Sequence, residues 1–292
     1  MSNAAPRFSS RFTFLISALG IAIGTGNIWR FPRIVATNGG ENGAGSFLVA
    51  WIMFLFLWSI PLIIAEYVLG RQSRKGTVGA FAHFMGKPFA FLGGFVGFVS
   101  TAIAFYYSVV VGWNIYYFGS MTFNALPNTT ETSWEIWNNF QNGSFPIMFH
   151  AIAMSVGGFA IYKGVSSIEK VNRILIPILL AIVLLSVVRA LMLPGSMAGI
   201  SYLFTPDWAQ LKEPRIWLEA LTQNAWDTGA GWGLFLTYAI YIKKRYGIIK
   251  NAFTVAIGNN LVSLMAAVMI FSTVFSILGN EMGMAKSEIL DV

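Results

Sequence analysis

ALGIAIGTGNIWRFP, running from Ala18 to Pro32, decides how the rest of this chain is read. It is apolar enough to enter a membrane, yet Gly20, Gly24 and Gly26 interrupt it and Asn27 and Arg30 follow. In hydrocarbon every backbone N–H and C=O needs a partner, so a loosened stretch survives only where protein, water or a ligand supplies one. Two readings are open from these residues. Gly20 and Gly24, four apart, form a small-residue contact between helices and involve no ligand. Alternatively, the glycines loosen the helix and bare its backbone to something bound.

Composition identifies the solvent. Of 292 residues, 56% are hydrophobic and 11% charged, with mean hydropathy +0.65; a soluble domain runs roughly 45–50% apolar and about 25% charged. This is the composition of an integral membrane protein. Zero cysteines exclude disulfides and thiolate metal sites. The first apolar run passes into polar residues without a small-residue cleavage site, so the first span is expected to be retained.

Seven apolar stretches are near or above the roughly 20 residues that cross a bilayer: 12–36, 47–70, 90–120, 146–163, 170–193, 217–242 and 251–279. With the amino terminus inside, 13 of the 19 basic residues fall on the inner side: Arg7, Arg11, Arg71, Arg74, Lys75, Lys87, Lys163, Lys170, Arg173, Lys243, Lys244, Arg245 and Lys250. That asymmetry predicts a cytoplasmic amino terminus. Topology thus accounts for the net charge of +7, and no nucleic-acid partner is expected. The longest outside connection, about 121–145, contains NTTETSWEIWNNF, which predicts a short surface helix from Thr132 or Ser133. Asn128 and Asn142 begin N-x-[ST] sequons, read as chance occurrences.

A second broken segment shifts the balance between the two readings. QNAWDTGAGWG, Gln223 to Gly233, places Gly229, Gly231 and Gly233 inside the sixth apolar run beside the carboxylate of Asp227. An ionisable group at membrane depth costs about 3 kcal/mol on insertion scales unless it is paired or faces a cavity. Two glycine-interrupted spans separated in this way point to an inverted-repeat transporter, in which half-helix ends and freed carbonyls hold substrate and cations near the midplane.

GIAIGTGNIWRFP, NGG at 38–40, GSFLVAW at 45–51, IPLIIAEYVLGR at 60–71, YLFTPDWAQLKEPRIW at 202–217 and QNAWDTGAGWG together resemble the bacterial branch of the neurotransmitter:sodium symporter family, over essentially the whole chain. The resemblance implies an all-α polytopic membrane protein of the plasma membrane, an inverted-repeat transporter with discontinuous helices 1 and 6. It implies sodium-driven symport of a small neutral amino acid by alternating access, with sodium ions and no organic cofactor; partners are the substrate, sodium and the bilayer. A first sodium site would use the Ala22 carbonyl, Asn27, Asn259 and the residue at Asp227. A second would use the carbonyls of Gly20 and Ile23, completed from an eighth span. Substrate would meet Gly24, Thr25 and Gly26 with its carboxylate, aided by the Tyr107 hydroxyl. Its amino group would meet carbonyls near Ala22 and Trp226, and its side chain Ile103, Trp226, Gly229 and Trp232, the two tryptophans bracketing a pocket.

Chloride-dependent members hold their anion with a tyrosine, a glutamine, an asparagine and two serines; the corresponding positions here are Trp51, Gln223, Asn259, Asp227 and Ser263. Tryptophan for tyrosine and carboxylate for serine imply chloride-independent transport with Asp227 as internal anion. Arg30 would serve an outer gate with Gln223 nearby, and Arg7 or Arg11 an inner one beside Phe8. Family members have eleven or twelve spans in two five-helix repeats. Here residues 1–292 are expected to form one transmembrane domain: a first repeat over about 12–193, two helices of a second over 217–279, and the start of an outside loop at 280–292. By that count the chain is expected to be an incomplete transporter. A non-transporting amino-acid sensor on the same fold is the alternative. An enzyme is not expected, because His83 and His150 have no carboxylate at useful spacing.

Overall fold

The computed structural model describes residues 7–124, 127, 129–281 and 284, and among them all regular structure is helical. Asn128 and nearly all of the expected loop at 280–292 lie outside the described residues.

The first span is broken as its glycines suggest. Helix α1 (Arg11–Ala22) opens with a reciprocal cap, Ser10 Oγ accepting from Thr13 N–H while Thr13 Oγ1 accepts from Ser10 N–H. It stops where Ile23 turns extended (φ −77°, ψ 118°). A wide π turn over Gly26–Arg30 leads into α2 (Phe31–Thr37), with Pro32 in the first turn where its missing N–H costs nothing. The two halves are bent by 55°.

The second span combines α3 (Gly45–Phe54) and α4 (Ile60–Ser73) through a π turn at Leu55–Ser59, which absorbs the proline at position 61. Then follow α5 (Thr77–Met85), the 34-residue α6 (Ala90–Phe123), α7 (Thr130–Gln141), α8 (Phe145–Ile161), α9 (Val165–Leu191) and α10 (Ser196–Phe204). The sixth span is split into α11 (Pro214–Thr228) and α12 (Leu234–Ala239), and α13 (Ile248–Val274) closes the series.

Several boundaries differ from expectation. The surface helix α7 starts at Thr130 rather than at 132 or 133, because Thr129 caps it by accepting from Thr132 N–H. Helices α5 and α10 occupy connections that hydropathy left as loops, and His83 therefore sits on α5. Among the described residues four uninterrupted helices are long and apolar enough to cross a membrane, and six if the bent pairs Arg11–Ala22 with Gly26–Thr37 and Thr130–Gln141 with Phe145–Ile161 each count as one span. The sixth span is absent from that set because its halves are short and its middle is polar.

Three segments cross the molecule in the same order of chemistry. One apolar cluster gathers Phe14 and Ala22 of the first span, Ala230 and Phe235 of the sixth, and Val255 and Ala256 of α13. A second gathers Phe31, Ala220, Ala267 and Phe271 from the same three spans, with Trp51. Between them in sequence each span contributes buried polar residues: Asn27; Gln223, Asn224 and Asp227; Asn259, Asn260 and Ser263. The breaks are thus held in a polar layer between two apolar clusters. Exposed side chains such as Phe95, Phe98 and Phe105 on α6 and Phe159 on α8 present apolar surface suited to lipid.

The seam between α4 and α12 fixes the second break. A Cβ on Gly70 would collide with the Leu236 carbonyl and sit 2.8 Å from the Ala239 Cβ. Four residues earlier, Glu66 accepts from Gly231 N–H at 2.6 Å and Leu236 N–H at 2.9 Å, groups that the interrupted helix leaves unpaired. Gly70→Ala is expected to lose about 1–3 kcal/mol through overpacking. Glu66→Gln is expected to lose about as much through a backbone donor left without an acceptor. Thermal unfolding of both variants in detergent, beside the parent, measures each loss.

Candidate functional site

Asn27 is the organiser of the first break. Its Oδ1 accepts from Gly24 N–H at 2.8 Å, diverting the donor that a continuous helix would aim at the Gly20 carbonyl. Its Nδ2 donates to Asn259 Oδ1 at 2.9 Å and Ser263 Oγ at 2.8 Å. The Asn259 amide atom that meets Asn27 also lies 3.3 Å from the Ala22 carbonyl oxygen and 3.2 Å from that of Asp227. As nitrogen, that atom would donate to both carbonyls but face the Asn27 donor; as oxygen, it leaves three oxygens facing one another. A cation resolves the second arrangement. Neutral oxygens with one carboxylate nearby suit a hard cation. Among the described residues no group of three His, Cys, Asp or Glu could hold a transition metal.

Asp227 is fully buried, with no ion pair among the described residues. Gln223 Nε2 donates to its Oδ1 at 2.6 Å and Ser263 Oγ to its Oδ2 at 3.2 Å. The Trp51 indole also faces the carboxylate as a donor, although its N–H makes no hydrogen bond of ordinary geometry. Gln223 turns its Oε1 to Arg30 Nη1, and the Arg30 guanidinium lies 5.5 Å from the centre of the Trp226 ring. A relay therefore runs from an arginine through an amide to the carboxylate. The five positions named from the chloride comparison, Trp51, Gln223, Asp227, Asn259 and Ser263, come together.

The second break is a run of left-handed glycines. Gly229, Gly231 and Gly233 have φ of 64°, 90° and 73°, which side chains resist. Thr228 and Asn224 lock its start: Thr228 Oγ1 donates to the Asn224 carbonyl at 2.8 Å, and Asn224 Nδ2 to that of Trp51 at 3.0 Å. Trp226 and Trp232 do not bracket an opening between them. Their rings meet edge to face with centroids 5.3 Å apart and form one wall. Trp226 reaches the first break, 3.0 Å from where a Gly26 Cβ would lie.

Gly20 and Gly24 prove different in kind. A Cβ on Gly20 would meet Asn172 and Ile176 of α9 at 3.1 Å, whereas Gly24 has nothing within 4 Å. The first is a helix contact; the second and Thr25, both part-exposed, bare the backbone. Helix α6 approaches through Ser100, whose hydroxyl bonds the Trp232 carbonyl. Ile103 and Tyr107 continue that face, half-buried, and the Tyr107 hydroxyl has no hydrogen bond among the described residues. Ile23 is buried at the end of α1. Arg11 Nε donates to Asn251 Oδ1 at 2.9 Å, while the exposed Arg7 holds no hydrogen bond among the described residues. Sequence reasoning overlooked Glu66 as a site residue. A carboxylate within IPLIIAEYVLGR, at membrane depth, was the signal that could have found it.

Comparison with known proteins agrees with this architecture. The model of the sodium:neurotransmitter symporter family matches residues 5–143 and 141–292. An uncharacterised sodium-dependent transporter of Methanocaldococcus jannaschii is 32% identical over 276 residues, covering 91% of this chain and 55% of the relative. A sodium-dependent neutral amino acid transporter, B(0)AT3 of Mus musculus, is 28% identical over 318 residues, covering 97% of this chain and 50% of its own. The crystal structure of MhsT in complex with L-phenylalanine superposes with a TM-score of 0.82 at 30% identity, covering 97% of this chain and 63% of MhsT. The chain thus spans roughly half to three-fifths of the length of these relatives. It is a multi-pass membrane protein of the inverted-repeat transporter fold, with broken first and sixth helices. Its relatives are sodium-coupled transporters and not enzymes, and the chain belongs to the sodium:neurotransmitter symporter family.

Proposed function

We propose that this chain forms the ion- and substrate-binding part of a sodium-coupled symporter for a neutral amino acid, working by alternating access without chloride. The observation that carries the reading is the convergence of Ala22 C=O, Asp227 C=O and the Asn259 amide at the first break, beside the buried Asp227 carboxylate. In this reading the first sodium is held there with Asn27, and the second by the freed carbonyls of Gly20 and Ile23. Asp227 is the fixed anion: a carboxylate beside a bound cation supplies the negative charge that chloride supplies elsewhere. Its position between Gln223 and Ser263 supports this role.

The substrate carboxylate meets the bared backbone at Gly24–Gly26 and the unengaged Tyr107 hydroxyl. Ile103, Gly229 and the Trp226–Trp232 wall receive its side chain. A neutral amino acid is favoured by two relatives, one named as a neutral amino acid transporter and the other crystallised with L-phenylalanine. The chain is read as a single transmembrane domain, with the amino terminus cytoplasmic and the membrane that of the cell surface. Residues 12–193 form one repeat, and 217–279 begin the second.

Reconstitution into proteoliposomes with labelled neutral amino acids tests the reading, with sodium replaced by potassium and chloride by gluconate. Sodium-dependent binding and uptake, unchanged in gluconate, is expected. Binding without uptake would favour a sensor, and neither would refute the reading. Asp227→Ser is expected to weaken sodium-dependent binding about tenfold or more in gluconate, with recovery in chloride, as one lost charge–charge interaction of about 1.4 kcal/mol implies. Full binding by Asp227→Ser without chloride would remove Asp227 from this role.

A further inference from the structure

Glu169, near the start of α9, is buried, and no cation pairs with it among the described residues. One of its oxygens collects three donors from the beginning of the chain. Ser9 N–H donates at 2.7 Å, Ser9 Oγ at 3.0 Å, and Thr13 Oγ1 also bonds it. The same short segment is also fastened by main-chain, lysine and ring contacts. Phe8 N–H donates to the Tyr241 carbonyl at 3.2 Å, Lys243 Nζ to that of Ser9 at 2.6 Å, and the Phe8 ring lies 5.7 Å from Tyr238. Glu169 is therefore the charged anchor of a segment that seals one end of the helix bundle.

The contact continues toward the first break. Thr13, Ser17 and Gly20 share one face of α1, and Glu169, Asn172 and Ile176 one face of α9. Thr13 meets Glu169, and Gly20 packs against Asn172 and Ile176. Ser17 lies between them, wholly buried, its hydroxyl without a partner. The segment under the anchor leads directly to the carbonyls of Gly20 and Ile23.

We propose that Glu169 is the inner latch of this transporter: a positioning residue whose carboxylate pins Ser9 and Thr13 so that α1 covers the path from the break to the inner surface, and whose release uncovers that path. Among the described residues Arg11 engages the Asn251 amide, and neither Arg7 nor Arg11 hydrogen-bonds Glu169. The latch rests on the alternating-access reading, but its test requires no flux.

The chain contains no cysteine, so single reporters can be introduced without removing any residue of that type. Ser17→Cys places a thiol beneath the latch with nearly the shape of the serine. Its modification by a membrane-impermeant methanethiosulfonate reagent, applied from the amino-terminal side of the full chain in vesicles, reports exposure. Modification is expected to be slow in the otherwise unaltered chain. It is expected to be about tenfold faster with Glu169→Ala, as the loss of a charge-assisted hydrogen bond implies, and intermediate with Glu169→Gln, which keeps a neutral acceptor. Ser9→Ala with Thr13→Val, which removes donors and leaves the carboxylate, is expected to act in the same direction. Ser46→Cys, buried in the other apolar cluster, serves as the control and should not change. An unchanged rate at Ser17→Cys in either set of variants, or equal acceleration at Ser46→Cys, overturns the latch. Sodium binding by the same variants reports independently on the symporter reading.

Discussion

Everything in this chain is arranged around backbone groups that hydrocarbon cannot satisfy. Breaking two membrane spans frees carbonyls at the first break and N–H groups at the second, and water is not available to pair them. The two breaks are therefore answered with opposite chemistry. At the first, Asn27 takes the Gly24 N–H and leaves oxygens exposed. At the second, Glu66 takes the Gly231 and Leu236 N–H groups and leaves the half-helix held by a carboxylate. In the proposed reading one break becomes a place for a cation and the other a fixed part of the scaffold. The difference follows from which side chain lies opposite and from the backbone, which is left-handed at the glycines of the second break alone.

The three buried carboxylates show how charge is tolerated here. Among the described residues Asp227, Glu66 and Glu169 each sit among hydrogen-bond donors and none forms an ion pair with a lysine or arginine. Hydrogen-bond donors stabilise an anion without cancelling its charge. In the proposed reading Asp227 keeps a negative charge within the polar layer, and among the described residues Arg30 hydrogen-bonds it only through Gln223. A direct ion pair would have neutralised the site and removed its attraction for a cation. The intervening amide preserves that attraction while still connecting the outer face of the break to its centre.

Much of this was legible in residue patterns, and the exceptions have physical causes. The glycines at 20, 24 and 26 and at 229, 231 and 233 locate both breaks, because only a site or a tight contact justifies them in an apolar run. Span existence followed from hydropathy. What hydropathy could not see were short connections such as α5 and α10, stabilised by packing rather than by length: a Cβ on Gly199 of α10 would collide with the Phe271 carbonyl of α13. The tryptophans at 226 and 232 look like opposite walls by position, but the left-handed run between them folds the chain back so that the rings touch. Glu66 and Glu169 were passed over because a carboxylate announces a buried role only when its donors are known, and those donors lie about 160 residues or more away in the chain.

Gly20 illustrates how one residue can satisfy two demands that seem to compete. A small residue is needed there so that Asn172 and Ile176 can approach, and its carbonyl is set free because Asn27 captures the next N–H. The close contact fixes α1 against α9, and the free carbonyl faces the break at the end of that same contact. Movement of α1 away from α9 must then disturb both the seal at Thr13 and the oxygens at Gly20, since a single helical face carries them. If the proposed ion site and latch hold, ion binding and inner closure are coupled through the rigidity of about two turns of helix, with no need for a longer chain of contacts.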